Sequence, residues 1–253
     1  MNILVCISSV PDTTSKINFT NNNQEFDTNG VTFIINPYDE FCLTKAIFLK
    51  EQSSDPLNCT ITVLHIGTSS SDPILRKALA IGADKAVRID QVPQNSKVVA
   101  NNIFDYYSKN SFDLIFCGKE SIDYNGGQVP GLLAAKINAP FINGCVGLEL
   151  KNNSIEVKRE VDSGHEISEC NLPAVIAGQK GLVEEKDLRI PSMRGIMTAR
   201  TKPLQVINSN IEITETFKIT TNSKPVERSE CKIIDEENIE KLVDLLSNEA
   251  KVI

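Results

Sequence analysis

Asp113-Leu-Ile-Phe-Cys-Gly-Lys-Glu-Ser-Ile-Asp-Tyr-Asn-Gly-Gly-Gln-Val-Pro-Gly131 reads as a buried strand, a glycine-rich turn and the entry to a helix. The apolar run Leu114 to Cys117 breaks at Gly118, and Leu132-Leu-Ala-Ala-Lys136 restarts with helical character after the polar stretch. Such a turn suits a phosphate. Gly126 and Gly127 let backbone N–H groups converge without a Cβ in the way, and a helix entry offers unpaired N–H groups and a positive dipole end to an anion. An ordinary βα loop fits the same spacing, because two glycines before a helix are a weak signal alone.

Working outward, the N-terminal half repeats this alternation. Ile3 to Ile7 reads as a buried strand and Phe33-Ile-Ile35 as a short extended piece. A helix is expected next, with Asn36 as its cap, Pro37 at its first position, Asp39 and Glu40 favouring the dipole, and an apolar stripe through Cys42, Leu43, Ala46, Ile47 and Leu49. Cys59 to Leu64 is β-branched and strand-like, a helix runs through Ile74, Leu75, Ala78 and Leu79 to Gly82, Lys85 to Ile89 is a strand, and residues 96–108 carry a helical pattern. Strand alternating with helix predicts the doubly wound α/β class, a mostly parallel, Rossmann-like sheet whose ligands sit at the carboxyl ends of its strands. That rim would hold Cys6, the 65–68 turn and the 118–131 loop.

After Pro140 the pattern turns antiparallel. Cys145 to Leu150, Ile155 to Val161 and His165 to Glu169 are joined by hairpin-like turns at Asn152-Asn153 and Asp162-Ser163-Gly164, before a buried strand at Leu172 to Ala177. The charged segment 180–203 is too long for a simple connection and is expected to cover a partner or substrate. Residues 207–230 hold little hydrophobic content, and an amphipathic helix is predicted over about 235–248 (Ile239, Leu242, Val243, Leu246). The expected organisation is a nucleotide-binding domain over 1–206 and a C-terminal arm over 207–253 that packs on something outside the domain.

Composition excludes several functions. A length of 253 residues is enough to bury a full core. A formal net charge of −7 disfavours a general nucleic-acid binder. Two isolated histidines and seven cysteines without a C-x-x-C pair give no zinc ligand spacing, and the odd cysteine count argues for reduced core thiols over a complete disulfide framework. No apolar run is long enough to span a bilayer and Ile3 to Ile7 is too short for a signal peptide, so the expectation is a soluble, unexported, cytoplasmic protein.

Six separated motifs, in order, resemble one family. Ile3-Leu-Val-Cys-Ile-Ser-Ser-Val-Pro-Asp12 is similar to its first strand and turn, Val31 to Glu40 to its Asn-Pro-Phe/Tyr-Asp/Cys-Glu segment, and Ala78-Leu-Ala-Ile-Gly-Ala-Asp-Lys-Ala86 to its Ala-Leu-Ala-Met-Gly-Ala-Asp-Arg run. Gly118-Lys-Glu-Ser-Ile-Asp123, Val157-Lys-Arg-Glu-Val-Asp-Ser-Gly164 and Leu172-Pro-Ala-Val175 match its Gly-Lys-Gln-Ala-Ile-Asp, Val-Glu-Arg-Glu-Ile-Asp-Gly-Gly and Leu-Pro-Ala-Val. The family is the β subunits of electron-transfer flavoproteins, and the resemblance spans about Met1 to Val206.

The resemblance implies a heterodimer with an α subunit that holds most of one redox-active FAD. It also implies electrons arriving from acyl-CoA dehydrogenase-type donors and leaving to a quinone oxidoreductase or similar acceptor, with no catalytic residues in this subunit. Many members carry a structural AMP. By position its site would comprise Cys6, the turn Asn36, Pro37, Tyr38 and Asp39, Ile66, and the loop Gly118, Lys119, Glu120, Ser121, Ile122, Asp123, Tyr124, Asn125, Gly126, Gly127, Gln128 and Val129. Tyr38 would lie near the partner's flavin, and Lys119 would face phosphate or simply solvent. The 184–197 segment corresponds to the family's recognition loop, with Ile190 as its apolar anchor and Leu188 and Met193 beside it, and the arm would wrap the α subunit. The usual Asp-Asp-Asp-x-Asn-Gln-Thr-Gly appears here as Asp123-Tyr-Asn-Gly-Gly-Gln-Val-Pro-Gly131, so Val129 replaces a threonine hydroxyl and a proline enters the pattern. Losing one neutral hydrogen bond costs about 1 kcal/mol, enough to lower occupancy without abolishing the site. In electron-bifurcating relatives the same pocket holds a second FAD, which the altered loop leaves open. A stand-alone adenine-nucleotide module of the universal-stress type shares the scaffold, but the 180–203 segment and the arm speak against it. An adenylating enzyme would need a P-loop or a nucleophile–base pair, and the sequence offers neither.

Overall fold

A computed structural model describes residues 1–53, 55–151, 154–212, 221–223 and 231–253. The expected turn at Asn152-Asn153, and arm residues 213–220 and 224–230, lie outside the described residues. The protein divides into two units, Met1–Lys16 with Thr28–Lys218, and Ile17–Asp27 with Ile219–Ile253.

In the larger unit β1 (Asn2–Cys6) leads to a two-stranded ribbon in which β2 (Ser9–Pro11) pairs antiparallel with β5 (Phe33–Ile35). The intervening β3 (Phe19–Thr20) and β4 (Glu25–Phe26) belong to the smaller unit. Then come α1 (Pro37–Gln52), β6 (Thr60–Ile66), α2 (Asp72–Ile81), β7 (Lys85–Asp90), α3 (Ser96–Ser108), β8 (Leu114–Gly118) and α4 (Val129–Ile137). Next follow β9 (Phe141–Leu150), β10 (Ser154–Val161), β11 (Gly164–Asn171), β12 (Ala174–Gly178), α5 (Met193–Ala199) and β13 (Leu204–Asn208).

Nine strands form one sheet in the order β11-β10-β9-β12-β8-β1-β6-β7-β13. From β9 to β13 all neighbours are parallel, whereas β10 pairs antiparallel with β9 and β11. Helices cover both faces, so this is the doubly wound α/β class. The central strands are buried on both sides, which is why β1, β8 and β12 read as near-continuous apolar runs and why β6, otherwise β-branched and apolar, buries even Thr62 and His65. Ile3, Val5, Ile61 and Val63 pack with Leu43, Ile47, Leu75 and Leu79 of α1 and α2 on one face. Leu4, Leu64, Ile103, Ile115 and Leu133 pack with α3 and α4 on the other.

The arrangement of elements departs from the sequence expectations at four places. The antiparallel grammar does not start directly after Pro140, because the first residues of β9 pair parallel with β12 (Phe141 with Val175, Ile142 with Ile176), and antiparallel pairing with β10 begins at Cys145, opposite Arg159. The 180–203 segment is not one long loop, since it contains α5, whose Ser192 cap accepts the N–H of Gly195 at 3.0 Å. Strand β13 pairs with β7 to Asn208, which puts Ile207 and Asn208, the first residues of the expected arm, in the sheet. In the smaller unit the predicted 235–248 helix is α6 (Ile239–Asp244) followed by a wider turn at Leu245–Glu249. All seven cysteines are free, and Cys6, Cys42, Cys59, Cys117 and Cys145 are buried, as expected of core thiols.

Candidate nucleotide site and partner surface

Strand order itself locates a crevice. From β1 the backbone winds outward through β6 and β7, returns across the sheet by α3, and resumes at β8 on the opposite side of β1. The carboxyl ends of β1 and β8 therefore diverge, and their following segments leave on opposite sides, the position where doubly wound sheets bind ligands.

Three residues build that position. Asp39, buried in the first turn of α1, accepts the N–H of Ser8 on Oδ2 and the N–H of Gly118 on Oδ1, both at 2.7 Å. It ties the exits of β1 and β8 to one carboxyl group. Burial pushes that carboxyl up to about 7, against the opposing pull of the two N–H donors. Asn36, also buried, donates from Nδ2 to the carbonyl of Glu120 at 2.9 Å and accepts the N–H of Ile122 on Oδ1 at 3.2 Å. Asn36 precedes α1 as expected, but its amide does not cap the helix, because it spans to the β8 exit instead. Gly118 completes the fit. A Cβ there would strike Asp39 Oδ1 and lie 2.8 Å from Tyr38 Cβ and 3.0 Å from Asn36 Nδ2.

Below this clasp the floor is apolar. Cys6, Ile66 and Cys117 lie in one buried cluster, Val129 packs at its margin, and the N–H of Lys119 donates to the carbonyl of Gly178 at 2.8 Å. Above it the loop opens. Asp123 through Gln128 are exposed, with Tyr124 85% accessible, and the N–H of Asn125 donates to the carbonyl of Ser121 at 2.8 Å. Asn125 and Gly127 both have left-handed backbone, and nothing lies within 4 Å of a Cβ placed on Gly126. Helix α4 starts without a hydrogen-bonding cap, so its first-turn N–H groups, apart from the nitrogen of Pro130, have no partner within the helix. These contacts join Cys6, Asn36, Tyr38, Asp39, Ile66, Gly118, Glu120 and Ile122 around one crevice. Pro37 opens α1 beside them. Asp123, Tyr124, Asn125, Gly126, Gly127 and Gln128 form its exposed lip.

A model of the electron transfer flavoprotein domain matches residues 25–211. The sequence is 34% identical to the electron transfer flavoprotein subunit beta of Bacillus subtilis over 266 residues, spanning 100% of both proteins. The chain belongs to the electron transfer flavoprotein beta-subunit family. Subunits of the same name from Syntrophomonas wolfei and Dictyostelium discoideum are 29% and 28% identical, over 100% of this protein and 98% and 99% of theirs.

The 184–197 segment lies on a different part of the larger unit. Leu188 packs against the core, while Ile190 and Met193 are 80% and 79% exposed, and Met197 is exposed on the same segment. Three residues fix α5 to α2. Arg76 donates to the carbonyls of Ala199 and Lys202 at 2.7 and 2.9 Å, and Lys202 Nζ donates to those of Leu79 and Ala83 at 2.9 and 2.7 Å. Gly195 meets the carbonyl of Ala80 so closely that a Cβ would overlap it. A groove of about 550 Å³ runs between the two helices, lined by Pro73, Arg76, Ala80 and Ile196 among others. None of its lining residues belongs to the crevice at β1 and β8.

Sequence reasoning put His65 in a rim turn at 65–68 and gave its side chain no role, whereas it lies inside β6. Its Nδ1 meets the carbonyl of Ile7 at 2.9 Å beside the same rim, and burial pushes the imidazole below its ordinary range, favouring the neutral ring. Only its place inside the apolar run of β6 signalled burial. His165 is exposed, as expected for a hairpin residue. Among the described residues no cluster of three or more His, Cys, Asp or Glu side chains suits a metal ion, and no helix is long and apolar enough to cross a membrane.

Proposed function

We propose that this protein is one half of a heterodimeric electron carrier, with AMP in the crevice between β1 and β8 and FAD held mainly by the α subunit. The observation that carries this reading is the clasp at Gly118, where Asn36 and Asp39 hold the strand exit and leave the loop's backbone donors to a ligand. The donor set suits a nucleoside monophosphate. Cys6, Ile66 and Cys117 offer an apolar floor for a base, and Gly126, Gly127 and the uncapped start of α4 offer N–H groups to phosphate. Lys119, half-buried at the strand exit, adds a positive charge close by.

The flavin supplies the redox chemistry when bound, and this subunit supplies position and surface. Tyr38 is half-buried at the start of α1, and the partner's flavin ring approaches it there. Ile190 and Met193, exposed on a segment fixed to α2, form the docking contact for acyl-CoA dehydrogenase-type donors, and a quinone oxidoreductase takes the electrons onward. The arm beyond β13 wraps the α subunit, consistent with the exposed Ile239, Leu242 and Val243 of α6.

A second reading, a bifurcating carrier with a further FAD in the same crevice, is favoured by the open lip, since a larger ligand meets no side chain at Gly126. Co-expression with the α subunit, acid release and chromatography of bound nucleotides tests both. One FAD with one AMP supports simple transfer, and two FAD supports bifurcation. A pair that assembles without any flavin would refute the carrier reading.

A further inference from the structure

Asn125-Gly126 is the one pair in the candidate phosphate loop whose own chemistry can change the site's charge. Asparagine followed by glycine forms a cyclic imide more readily than other pairs, because glycine has no Cβ to obstruct its nitrogen. Both residues are exposed here, nothing lies within 4 Å of a Cβ on Gly126, and among the described residues the only hydrogen bond holding Asn125 runs from its N–H to the carbonyl of Ser121. Neither the Asn125 side chain nor the N–H of Gly126 has a hydrogen-bond partner among the described residues.

Two other Asn-Gly pairs in the sequence differ. Asn143 is registered against Ala177 within the sheet, and Gly144 is buried, so its backbone cannot turn toward the side chain without breaking strand pairing. Asn29 is exposed like Asn125, but its atoms are already engaged in a polar interaction.

Resting on the reading of this loop as an anion cradle, we infer that Asn125 is a self-modifying position, whose conversion to aspartate or isoaspartate places a negative charge on the lip and weakens nucleotide retention. The nitrogen of Gly126 attacks Cγ of Asn125. The new N–C bond closes a five-membered succinimide, the Cγ–Nδ2 bond breaks, and ammonia leaves with the proton from the Gly126 nitrogen. Water then adds to one of the two ring carbonyls and reopens the ring as a carboxylate. No oxidant or other reactant is required. A bound phosphate ordering the loop slows the first step, because the backbone must leave its left-handed conformation at Asn125 for the nitrogen to reach Cγ.

The test ages the purified full-length protein at mildly alkaline pH, with and without AMP. Peptide mass mapping and isoaspartate methylation read the chemistry, and calorimetric titration with AMP reads the consequence. The expected result is acid product at Asn125 well ahead of Asn143, slowed by AMP, with AMP affinity falling about tenfold in aged protein and in the Asn125→Asp variant, as a like charge near phosphate requires. Gly126→Ala adds a methyl group into open space at a residue without left-handed backbone, so the fold is kept while product formation drops several-fold, and the AMP affinity of this variant, whatever its starting value, no longer falls on ageing. Loss of Asn29 with Asn125 intact overturns the chemistry. Acid product with unaltered AMP affinity overturns its consequence. If unaged protein fails to bind AMP, the site reading falls and takes the retention effect with it, while the mass map still decides whether Asn125 turns over.

Discussion

Asp39 Oδ1 accepts the N–H of Gly118 at 2.7 Å, and this one bond brings the first turn of α1 against the exit of β8. The closeness depends on glycine, whose missing side chain makes room for Asp39, Tyr38 and Asn36 together. Gly118→Ala forces three packed groups apart and is expected to destabilise the fold by about 1–3 kcal/mol, the usual range for an overfilled core site. Denaturant unfolding reads the loss, and nucleotide released from the purified variant should fall with it. An unchanged midpoint would mean that the strand exit yields freely.

The same carboxyl predicts a pH dependence. Its ordinary value is 3.8 and burial carries it to about 7 in the folded state, so between these values the native protein holds a proton that the unfolded state releases. Stability from this group is complete below 3.8 and is lost as pH rises through about 7. Cys6, Cys117, Cys42 and Glu40 surround it, and none offers a positive charge to reverse the sign. The unfolding free energy of the native protein minus that of Asp39→Asn should therefore shrink across this window and level off above it. The unmatched N–H in the variant adds only a constant offset. A difference that stays flat with pH would remove Asp39 as the titrating group.

Much of the frame could be read from residues close in sequence. The helix expected over 96–108 is Ser96–Ser108, because Asn95 caps it and Val98 and Ile103 face the core. Gly82 ends α2 as its missing Cβ suggested, and the glycine break at 118 marks the end of β8. What escaped depends on distant partners. Asn36 has the sequence of a helix cap, yet Glu120 and Ile122 take both ends of its amide. Strand β13 forms only because β7 offers an edge, and α5, seven residues with a glycine inside, is held by α2 far more than by its own propensity. In the sequence only the family resemblance joined the crevice residues of α1 to those after β8, and their physical meeting follows from strand order and from the bonds of Asn36 and Asp39.

That dependence of α5 on α2 can be broken at one atom. Gly195 faces the carbonyl of Ala80, a backbone group that cannot rotate away. Gly195→Val should displace α5, loosen the backbone around the already exposed Arg194 and Arg200 so that trypsin cuts there faster, and leave the free energy of global unfolding within about 1 kcal/mol, because the segment lies at the margin of the core. Limited proteolysis followed by mass analysis checks the order of cleavage. Equal cleavage rates in variant and native protein would show that the contact carries no positional role.

Ile190 and Met193 give a complementary case, since their side chains lie almost wholly in solvent and their loss removes no packing. Ile190→Ala and Met193→Ala should each alter stability by less than about 0.5 kcal/mol, the range for surface positions. If they anchor a donor dehydrogenase, truncating a buried apolar anchor at the interface costs about 2 kcal/mol or more, which is at least tenfold in the apparent affinity for that donor. Leu188 serves as the internal contrast. It packs against the core, so Leu188→Ala should lower the unfolding midpoint, and any effect on the donor should track that destabilisation. Stopped-flow reduction of the assembled heterodimer at increasing donor concentration separates the cases. A raised half-saturation with unchanged maximal rate for the Ile190 and Met193 variants places the contact at docking, whereas native kinetics in both would exclude this face from donor recognition.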